Sequence, residues 1–155
     1  MNNIIIRKAT IKDLASIQEL NNNLFDLELN NFDDTLKQGW PFEKEGREYF
    51  ENMIKSEIIF VAQDEDKIIG YLAGSICEEK SYITETFAEL DNMCINDEYR
   101  RFGIGTLLIN ELKKYCKEKN IQNIKVTASA KNSKAIQFYM KNGFENYNIT
   151  LKYKI

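Results

Sequence analysis

The chain has 155 residues, with 21 lysines and arginines, 24 aspartates and glutamates, no histidine and a formal net charge of −3. This length predicts one domain over residues 1–155, and the mild acidity argues against general nucleic-acid binding. The lack of histidine excludes Ser–His and Cys–His catalysis and histidine-ligated metal sites. Acid–base chemistry therefore falls to carboxylates, tyrosine, lysine, cysteine or water.

The location of the protein is predicted from composition and from its first residues. No apolar run approaches the roughly 20 residues that span a bilayer, and the first residues lack the basic start and cleavage site of a signal peptide. The three cysteines, Cys77, Cys94 and Cys116, show no C-x-x-C spacing. An odd number of cysteines fits a reduced compartment. We expect a cytoplasmic protein without membrane or metal partners.

The first third of the chain begins with a strand and a capped helix. Residues 4–8 indicate a β-strand, and Thr10 with Asp13 three residues later forms a variant of the capping box. The helix that follows is predicted to bury Leu14, Ile17, Leu20 and Leu24. Residues 25–46 are predicted to be irregular and acidic, with six carboxylates against two lysines: Asp26, Glu28, Asp33, Asp34, Glu43 and Glu45 against Lys37 and Lys44.

The middle of the chain predicts a helix, a hairpin and a long strand. The helix covers about residues 45–56, and residues 58–63 and 67–76 form the hairpin around an acidic turn. In the strand over residues 85–96, simple alternation places Glu89 and Asp91 on one face with Phe87, Met93 and Ile95. The other face then carries Ala88, Leu90, Asn92 and Cys94. Because unpaired buried carboxylates are costly, the two acids either line a polar cleft at mid-sheet or reach the solvated rim.

Two arginines and two glycines follow this strand, and we call residues 100–106 the arginine–glycine loop. Its sequence is Arg100-Arg101-Phe102-Gly103-Ile104-Gly105-Thr106. Glycine allows close approach of backbone to a ligand, and the free N–H groups of a helix start attract anions. Arginine adds fixed positive charge for phosphate oxygens. The loop therefore predicts a diphosphate-bearing cofactor, although it is neither a P-loop nor a good dinucleotide fingerprint.

The last third predicts a long helix, a strand, a short helix and a strand. Apolar residues at three- and four-residue steps indicate a helix from Gly103 to about Asn120. Residues 121–129 indicate a strand, and residues 133–141 indicate a helix that Asn132 is placed to cap and Gly143 closes. The remainder alternates as a half-buried strand, with one apolar face of Tyr147, Ile149, Leu151, Tyr153 and Ile155. This order predicts a mixed sheet with helices on both faces.

Two motifs in this order resemble the GNAT superfamily of acyl-CoA-dependent N-acyltransferases. Arg100-x-x-Gly103-x-Gly105 resembles its pyrophosphate loop, and Asn132-x-x-Ala135-x-x-Phe138-Tyr139-x-x-x-Gly143-Phe144 resembles its second cofactor segment. The resemblance implies an α/β (α+β) fold with a mixed, mostly antiparallel sheet of 6–7 strands and about four helices on both faces. It also implies acetyl-CoA as co-substrate, and it is compatible with a homodimer.

The resemblance assigns most of the chain's cofactor contacts. The pantetheine arm is expected to pair with the strand before the loop and to contact Asn132, while the hydroxyl of Tyr139 lies by the thioester sulfur. Tyr139 then acts as general acid, or it only packs against the cofactor. The expected cofactor residues are Met93, Cys94, Ile95, Arg100, Arg101, Phe102, Gly103, Ile104, Gly105, Thr106, Asn132, Ala135 and Tyr139.

The acceptor side is predicted from charge and from the same resemblance. Asp91 resembles the position of an acidic residue near the amine in polyamine acetyltransferases, and Asp91, Glu89 or water is the expected base. Glu28, Trp40 and Asp91 are the expected substrate-binding residues, because carboxylates attract a cationic amine. Trp40 either forms a wall of the site or fills the core. Lys125 stands where peptide N-terminal acetyltransferases often place a glutamate, which disfavours a ribosomal-protein acceptor.

The predicted function is transfer of acetyl from acetyl-CoA to a primary amine of a cationic small molecule, by direct attack. A peptide or protein N-acetyltransferase is the enzymatic alternative. A module that binds acyl-CoA as a sensor without turnover is the alternative that is not an enzyme.

Overall fold

The computed structural model describes residues 4–56, 58–78 and 80–155. The strands are β1 (Ile5–Lys8), β2 (Ile59–Asp64), β3 (Lys67–Ile76), β4 (Phe87–Ile95) and β5 (Asn123–Val126). The helices are α1 (Leu14–Asn31), α2 (Lys44–Lys55), α3 (Ile104–Glu118) and α4 (Ser133–Lys141). No helix in the described ranges is both long enough and apolar enough to cross a membrane.

One sheet carries all five strands in the order β1-β2-β3-β4-β5. Neighbouring strands are antiparallel except β4 and β5, which are parallel. Helices α1 and α2 cover one face through a cluster that includes Ile17, Phe50 and Tyr71. Helices α3 and α4 cover the other face, where Leu108 and Leu112 lie in a second cluster. This confirms the expected fold class, with four helices on both faces of a mostly antiparallel sheet.

The predicted terminal strand does not form, so the sheet has five strands among the described residues rather than six or seven. Residues 145–155 have no strand assignment, and their alternating apolar side chains are largely exposed. Ile149 and Leu151 retain 88% and 90% of their accessible surface. The sequence prediction of a half-buried strand was wrong for the single chain, because an alternating segment becomes a strand only when another strand lies beside it.

Helix α1 is longer than the sequence indicated, because residues 25–31 continue it. The polar residues that suggested a loop bond to the helix itself: the side-chain amides of Asn30 and Asn31 donate to the carbonyls of Asp26 and Leu27, four residues back. Such bonds are neutral to unfavourable for a helix in isolation, so propensity alone did not show that the helix continues. As a result, Glu28 lies on a helix and not in a loop.

Strand β4 contains a bulge that overturns the simple alternation expected for it. Ala73 lies opposite Asn92 whereas Gly74 lies opposite Leu90, so Asp91 is the extra residue. Such an extra residue shifts the side-chain alternation by one position. Ala88, Leu90, Met93 and Ile95 therefore contact the cluster under α3, whereas Cys94 packs on the side of α1 and α2. The predicted grouping of Met93 and Ile95 with Asp91 was wrong.

Candidate active site

The sheet opens beside the bulge of β4. Strand β4 pairs with β3 from Ala88 to Ile95, but it pairs with β5 only from Phe87 to Leu90. Strand β5 ends at Val126, the partner of Leu90, and the described residues form no β4–β5 pair after Leu90. One edge of residues 91–95 is thus left without a strand partner. The predicted strand over residues 121–129 is correspondingly short, because its second half has no neighbour. The opening exposes backbone donors and acceptors that an extended chain could pair with.

The arginine–glycine loop presents a run of free backbone N–H groups. The first backbone hydrogen bond of α3 in this region joins Leu107 N–H to the carbonyl of Gly103 at 3.1 Å. Within the described part of the chain, the N–H groups of residues 101–106 find no protein acceptor. The backbone of Arg101 and Gly103 is left-handed, with φ of 70° and 79°. Successive amides in such a turn at a helix start form an anion-binding concavity.

The two arginines of the loop have different surroundings. Arg100 bends back to donate from Nε to the carbonyl of Ile95 at 3.1 Å, and its Nη2 lies 2.6 Å from Asp97. These contacts fix the end of β4 to the loop. Arg101 is exposed and has no ion pair with a described residue. Its guanidinium is therefore the one of the two that is available to an anion outside the protein.

Gly105 is required by packing and not by a direct approach to a ligand. A Cβ atom at Gly105 would lie 2.9 Å from Cζ of Phe138 and 3.7 Å from Cε of Met93. The start of α3 therefore touches α4 and β4 at this point. The expectation that glycine here serves close backbone approach is refined: the close neighbour of Gly105 is the ring of Phe138.

Asn132 connects the second motif to helix α1. Its side-chain oxygen accepts from Ala135 N–H at 3.1 Å and caps α4, as the sequence predicts. Its Nδ2 donates to Oε1 of Glu28 at 3.2 Å. Glu28 is half-buried, and burial raises the pKa of its carboxyl group against the opposing hydrogen bond from Asn132. Glu28, a residue of α1, thus contacts the start of α4 through Asn132 and does not lie in a free acidic loop.

Tyr139 lies in an aromatic group on α4. Its ring centroid is 5.4 Å from that of Phe138 and 5.5 Å from that of Phe144. Burial, and to a lesser extent the charge of Glu28, raises the pKa of Tyr139 to about 12. Its hydroxyl has no hydrogen-bond partner among the described residues, so it is free to bond to a ligand. The hydroxyl stays protonated throughout the neutral range.

Asp91 ends a chain of hydrogen bonds that crosses the sheet on the side of α1 and α2. Asn21 donates to Tyr71 Oη at 2.8 Å, and Tyr71 donates to Asn92 Oδ1 at 2.6 Å. Asn92 Nδ2 then donates to Tyr49 Oη at 3.1 Å. The hydroxyl of Tyr49 interacts with the Asp91 carboxyl. Each group in the chain fixes the orientation of the next.

The carboxyl group of Asp91 is held by the hydroxyl groups of Ser75 and Tyr49. Ser75 Oγ donates to its Oδ1 at 3.1 Å. Partial burial raises the pKa of Asp91, and the bonds from Ser75 and Tyr49 oppose this rise. The nearby charge of Glu89 adds to the rise. An aspartate whose pKa is raised in this way is a better proton acceptor than one in water.

Glu89 is engaged in an ion pair. Its Oε2 lies 3.1 Å from Nζ of Lys125, the residue beside it on β5. The hydrogen bond that Lys125 donates to Glu89 raises the pKa of Lys125. Of the two predicted carboxylate bases, Asp91 is therefore the less compensated by positive charge.

Trp40 lies in an aromatic cluster between α1 and α2. Its ring stacks on Phe25 with centroids 5.6 Å apart, and it meets Tyr49 at 5.5 Å. Trp40 thus packs on the core, which is one of the two roles that the sequence left open for it, and it also supports Tyr49.

A cleft of about 360 Å³ lies next to Tyr49 and Ser75 and is lined mainly by apolar groups such as Met53 and Ile76.

Five polar residues of this site were missed by the sequence reasoning: Asn21, Tyr49, Tyr71, Ser75 and Asn92. Their signal in the sequence is weak, since each is a common residue inside a helix or strand. Four of them are joined by bonds between residues 21 to 50 positions apart. A polar residue on the buried side of each predicted element was the only available indication.

Comparison with known proteins identifies the family. Residues 21–144 match the family model described as "Acetyltransferase (GNAT) family". The chain belongs to this family of acetyltransferases. It is 27% identical over 146 residues to an uncharacterised N-acetyltransferase of Methanocaldococcus jannaschii, and 28% identical over 81 residues to an uncharacterised protein of Bacillus subtilis. These matches cover 93% and 52% of this chain, but the chain spans only 62% and 45% of the length of those two curated relatives.

Several solved structures of other proteins have the same fold. A tetramutant protein from Bacillus halodurans superposes with a TM-score of 0.86 at 21% identity, covering 97% of this chain and 99% of the other. An aminoglycoside acetyltransferase from a soil metagenomic sample, solved with sisomicin, gives 0.71 at 22% identity, covering 99% and 97%. An aminoglycoside N-acetyltransferase solved with CoA gives 0.77 at 15% identity, covering 99% and 95%.

Proposed function

We propose that this GNAT protein transfers an acetyl group from acetyl-CoA to a primary amine of a cationic small molecule. One combination of features carries the proposal. The arginine–glycine loop has free backbone N–H groups, the edge of β4 over residues 91–95 is open, and the hydrogen-bonded carboxylate of Asp91 lies beside that edge. Two structural neighbours are aminoglycoside acetyltransferases, and one was solved with CoA. Those activities are those of other proteins, and they support the class of acceptor proposed for this one.

The residues present fit acetyl-CoA on an independent structural criterion. The N–H groups of residues 101–106 have no protein acceptor within the described ranges, and Arg101 is free of ion pairs. Such groups would hold a pyrophosphate, and the open edge of residues 91–95 would pair with the amides of a pantetheine arm. Acetyl-CoA would supply an acetyl thioester and leave as a thiol.

Tyr139 holds a proton where the leaving sulfur is expected. A thiol has a pKa of about 8.5, so a proton moving from a tyrosine of pKa about 12 goes uphill by roughly 5 kcal/mol. Burial raises the pKa of Tyr139 most, and the charge of Glu28 adds to that rise. A cation bound near Glu28 would offset the smaller, electrostatic part of the cost, because it compensates that charge. The acceptor and the general acid are thereby linked through Glu28.

Asp91 accepts the proton of the attacking amine. An amine with a pKa near 10.4 is almost wholly protonated at neutral pH, so roughly 4–5 kcal/mol is needed to use its neutral form. Asp91 is oriented by Ser75 and Tyr49 and has a raised pKa, which suits it to take that proton directly or through water. In this proposal, a backbone N–H of β4 near Met93 or Cys94 would stabilise negative charge on the carbonyl oxygen.

A panel of amines tests the proposal. The protein with acetyl-CoA is assayed for release of free thiol with polyamines, aminoglycosides, amino acids and short peptides. We expect the highest kcat/KM for a small molecule with several positive charges. A best substrate that is a peptide N-terminus would favour the protein acetyltransferase instead. Thermal stabilisation by acetyl-CoA without thiol release for any amine would favour the sensor.

The Asp91→Asn variant belongs in the same assay. It should lower kcat/KM most below the pKa of the amine, where deprotonation limits the reaction. Asp66→Asn in the β2–β3 turn, far from Asp91 in the fold, is the matched control and should leave kcat/KM unchanged.

A further inference from the structure

The cleft of about 360 Å³, which we call the apolar cleft, adjoins the Asp91 carboxyl group. Its volume falls within the roughly 300–1,000 Å³ that small-molecule sites occupy. Tyr49 and Ser75 line the cleft, and their hydroxyl groups are the two that hold Asp91. The cleft is therefore continuous with the group that is proposed to take the proton of the amine.

The walls of the apolar cleft offer a ligand little but hydrocarbon. Helix α2 supplies Met53, the end of β3 supplies Ile76, and Ile58 precedes β2. None of the described residues that line the cleft carries a charge. Ile58 is fully buried, whereas Ile76 keeps 55% of its surface in water. An apolar group that enters the cleft would cover this exposed side chain, which is favourable because apolar surface leaves water.

Positive charge lies close to another part of the lining. The ammonium groups of Lys8 and Lys119 are 6.0 Å and 5.8 Å from the centroid of the Tyr115 ring, and Tyr115 lines the cleft. The ring attracts both lysines. The cleft therefore has a carboxylate beside Ser75 and lysines beside Tyr115. An amine suits the first position, and the lysines would repel a second ammonium group at the other.

We infer that the apolar cleft binds an uncharged alkyl or aryl arm that carries the reacting amine. The inference rests on the proposed function, because it takes Asp91 as the proton acceptor. The ammonium group of the acceptor lies at Asp91, and its arm lies against Met53 and Ile76. Any further positive charge of the acceptor lies outside the cleft. The cationic acceptor is thus amphiphilic.

Other bodies fit this cleft less well. A second ammonium group inside it would lose its water and meet apolar walls, which is costly for an unpaired charge. A sugar ring would bring several hydroxyl groups, for which Asn52 and Ser56 are the polar side chains beyond the two that hold Asp91. An apolar arm loses no hydrogen bonds to water when it enters.

A series of linear alkylamines from ethylamine to hexylamine tests the inference. Each amine carries one charge, so only the apolar arm changes. The kcat/KM for acetyl transfer should rise by about fourfold for each methylene that the cleft buries. Aminopentanol, which matches hexylamine in size but ends in a hydroxyl group, should react about tenfold more slowly than hexylamine. A kcat/KM that does not rise with arm length overturns the inference.

Calorimetric binding of the same amines, with CoA present, separates this inference from the proposed function. The dissociation constants should fall along the series in the same way, and this measurement needs no turnover. Thiol release without any gain from arm length would overturn the inference alone. A gain in binding without thiol release for any amine would overturn the proposed function and leave the cleft as an amine-binding site.

Two matched variants locate the gain in the cleft. Ile76→Thr keeps a branched side chain on the strand but makes this wall polar, so the gain per methylene should fall to about twofold or less. Ile5→Thr on β1 is the control, since Ile5 is 50% exposed and does not line the cleft. It should leave the gain unchanged. Circular dichroism checks the fold of both variants, and equal behaviour of the two would overturn the inference.

Discussion

The arginine–glycine loop and the acceptor side of the site are built in opposite ways. The loop is seven consecutive residues whose working groups are backbone N–H groups, oriented by positive φ at Arg101 and Gly103. The acceptor side is made of side chains from α1, α2, β3, β4 and the start of α4, and its bonds join residues as far apart as Glu28 and Asn132. A backbone site is set by local conformation, whereas a side-chain site depends on how the whole sheet packs.

This difference has consequences for mutation. Apart from Arg101, whose guanidinium is available to an anion, side-chain changes in the loop should matter little unless they alter backbone conformation or packing. On the acceptor side, removing one hydroxyl or carboxyl group should change a rate or a pH dependence without loss of the fold. The predictions below test this contrast.

The largest effect is expected for Gly105→Glu. The added side chain would start 2.9 Å from Phe138 and place a carboxylate among apolar groups at the start of α3. We expect the variant to lose acetyl-CoA binding by more than about 100-fold, so that the co-substrate no longer raises the melting temperature. A normal thermal shift would show that the loop does not bind the co-substrate.

Gly39→Glu is the matched control for that variant. Gly39, unlike Gly105, has positive φ, and a Cβ there would meet nothing within 4 Å. It should destabilise the fold by about 1–2 kcal/mol through backbone strain and leave the acetyl-CoA shift intact. Circular dichroism separates loss of binding from loss of folding in both variants.

The same contrast explains what could be predicted from the sequence. The loop and the Asn132 cap were predictable because each depends on a few adjacent residues with strong local preferences. The bulge at Asp91 was not, since it appears only when β4 is registered against β3, and it moved Met93 and Ile95 to the other face. The strand predicted for residues 147–155 failed because pairing needs a neighbour that the sequence pattern does not name.

Tyr139→Phe is expected to have the next largest effect. It removes only the hydroxyl, so kcat should fall by about 100-fold while the acetyl-CoA affinity changes little. Because the pKa of Tyr139 is raised to about 12, the hydroxyl is protonated at every pH of the assay. The loss should therefore be the same between about pH 6 and 9. Tyr82→Phe, at an exposed tyrosine, is the control. An unchanged kcat would reduce Tyr139 to a packing residue.

Tyr49→Phe should have a smaller and more specific effect on the acceptor side. The Tyr49 hydroxyl lowers the pKa of Asp91, so its removal should raise that pKa further. A base with a higher pKa loses its ionised form at higher pH, so the acidic limb of the kcat/KM profile should move toward neutrality. We expect kcat/KM to fall by about three- to tenfold at pH 7. Ser75→Ala should move the limb in the same direction, because Ser75 also lowers the Asp91 pKa. A limb that stays in place in both variants would separate Asp91 from proton transfer.

The smallest effect expected is that of salt on the acceptor. Charges attract a cationic substrate over about 30 Å at 0.01 M salt but only about 8 Å at 0.15 M. The kcat/KM for the best amine should therefore fall as salt rises, with little change in kcat.

Glu28→Gln should raise KM and flatten this dependence on salt, because it removes a carboxylate that lies at the start of α4 beside Asn132. Burial raises the pKa of Tyr139 most, and the charge of Glu28 adds to that rise. The Glu28→Gln variant should therefore lower the pKa of Tyr139, so we expect its KM to rise while its kcat changes little. Glu43→Gln, whose carboxylate is already paired with Lys37, should leave the salt dependence unchanged. Salt-insensitive kinetics with a neutral best substrate would remove the cationic acceptor from the proposal and leave the acetyltransferase family assignment untouched.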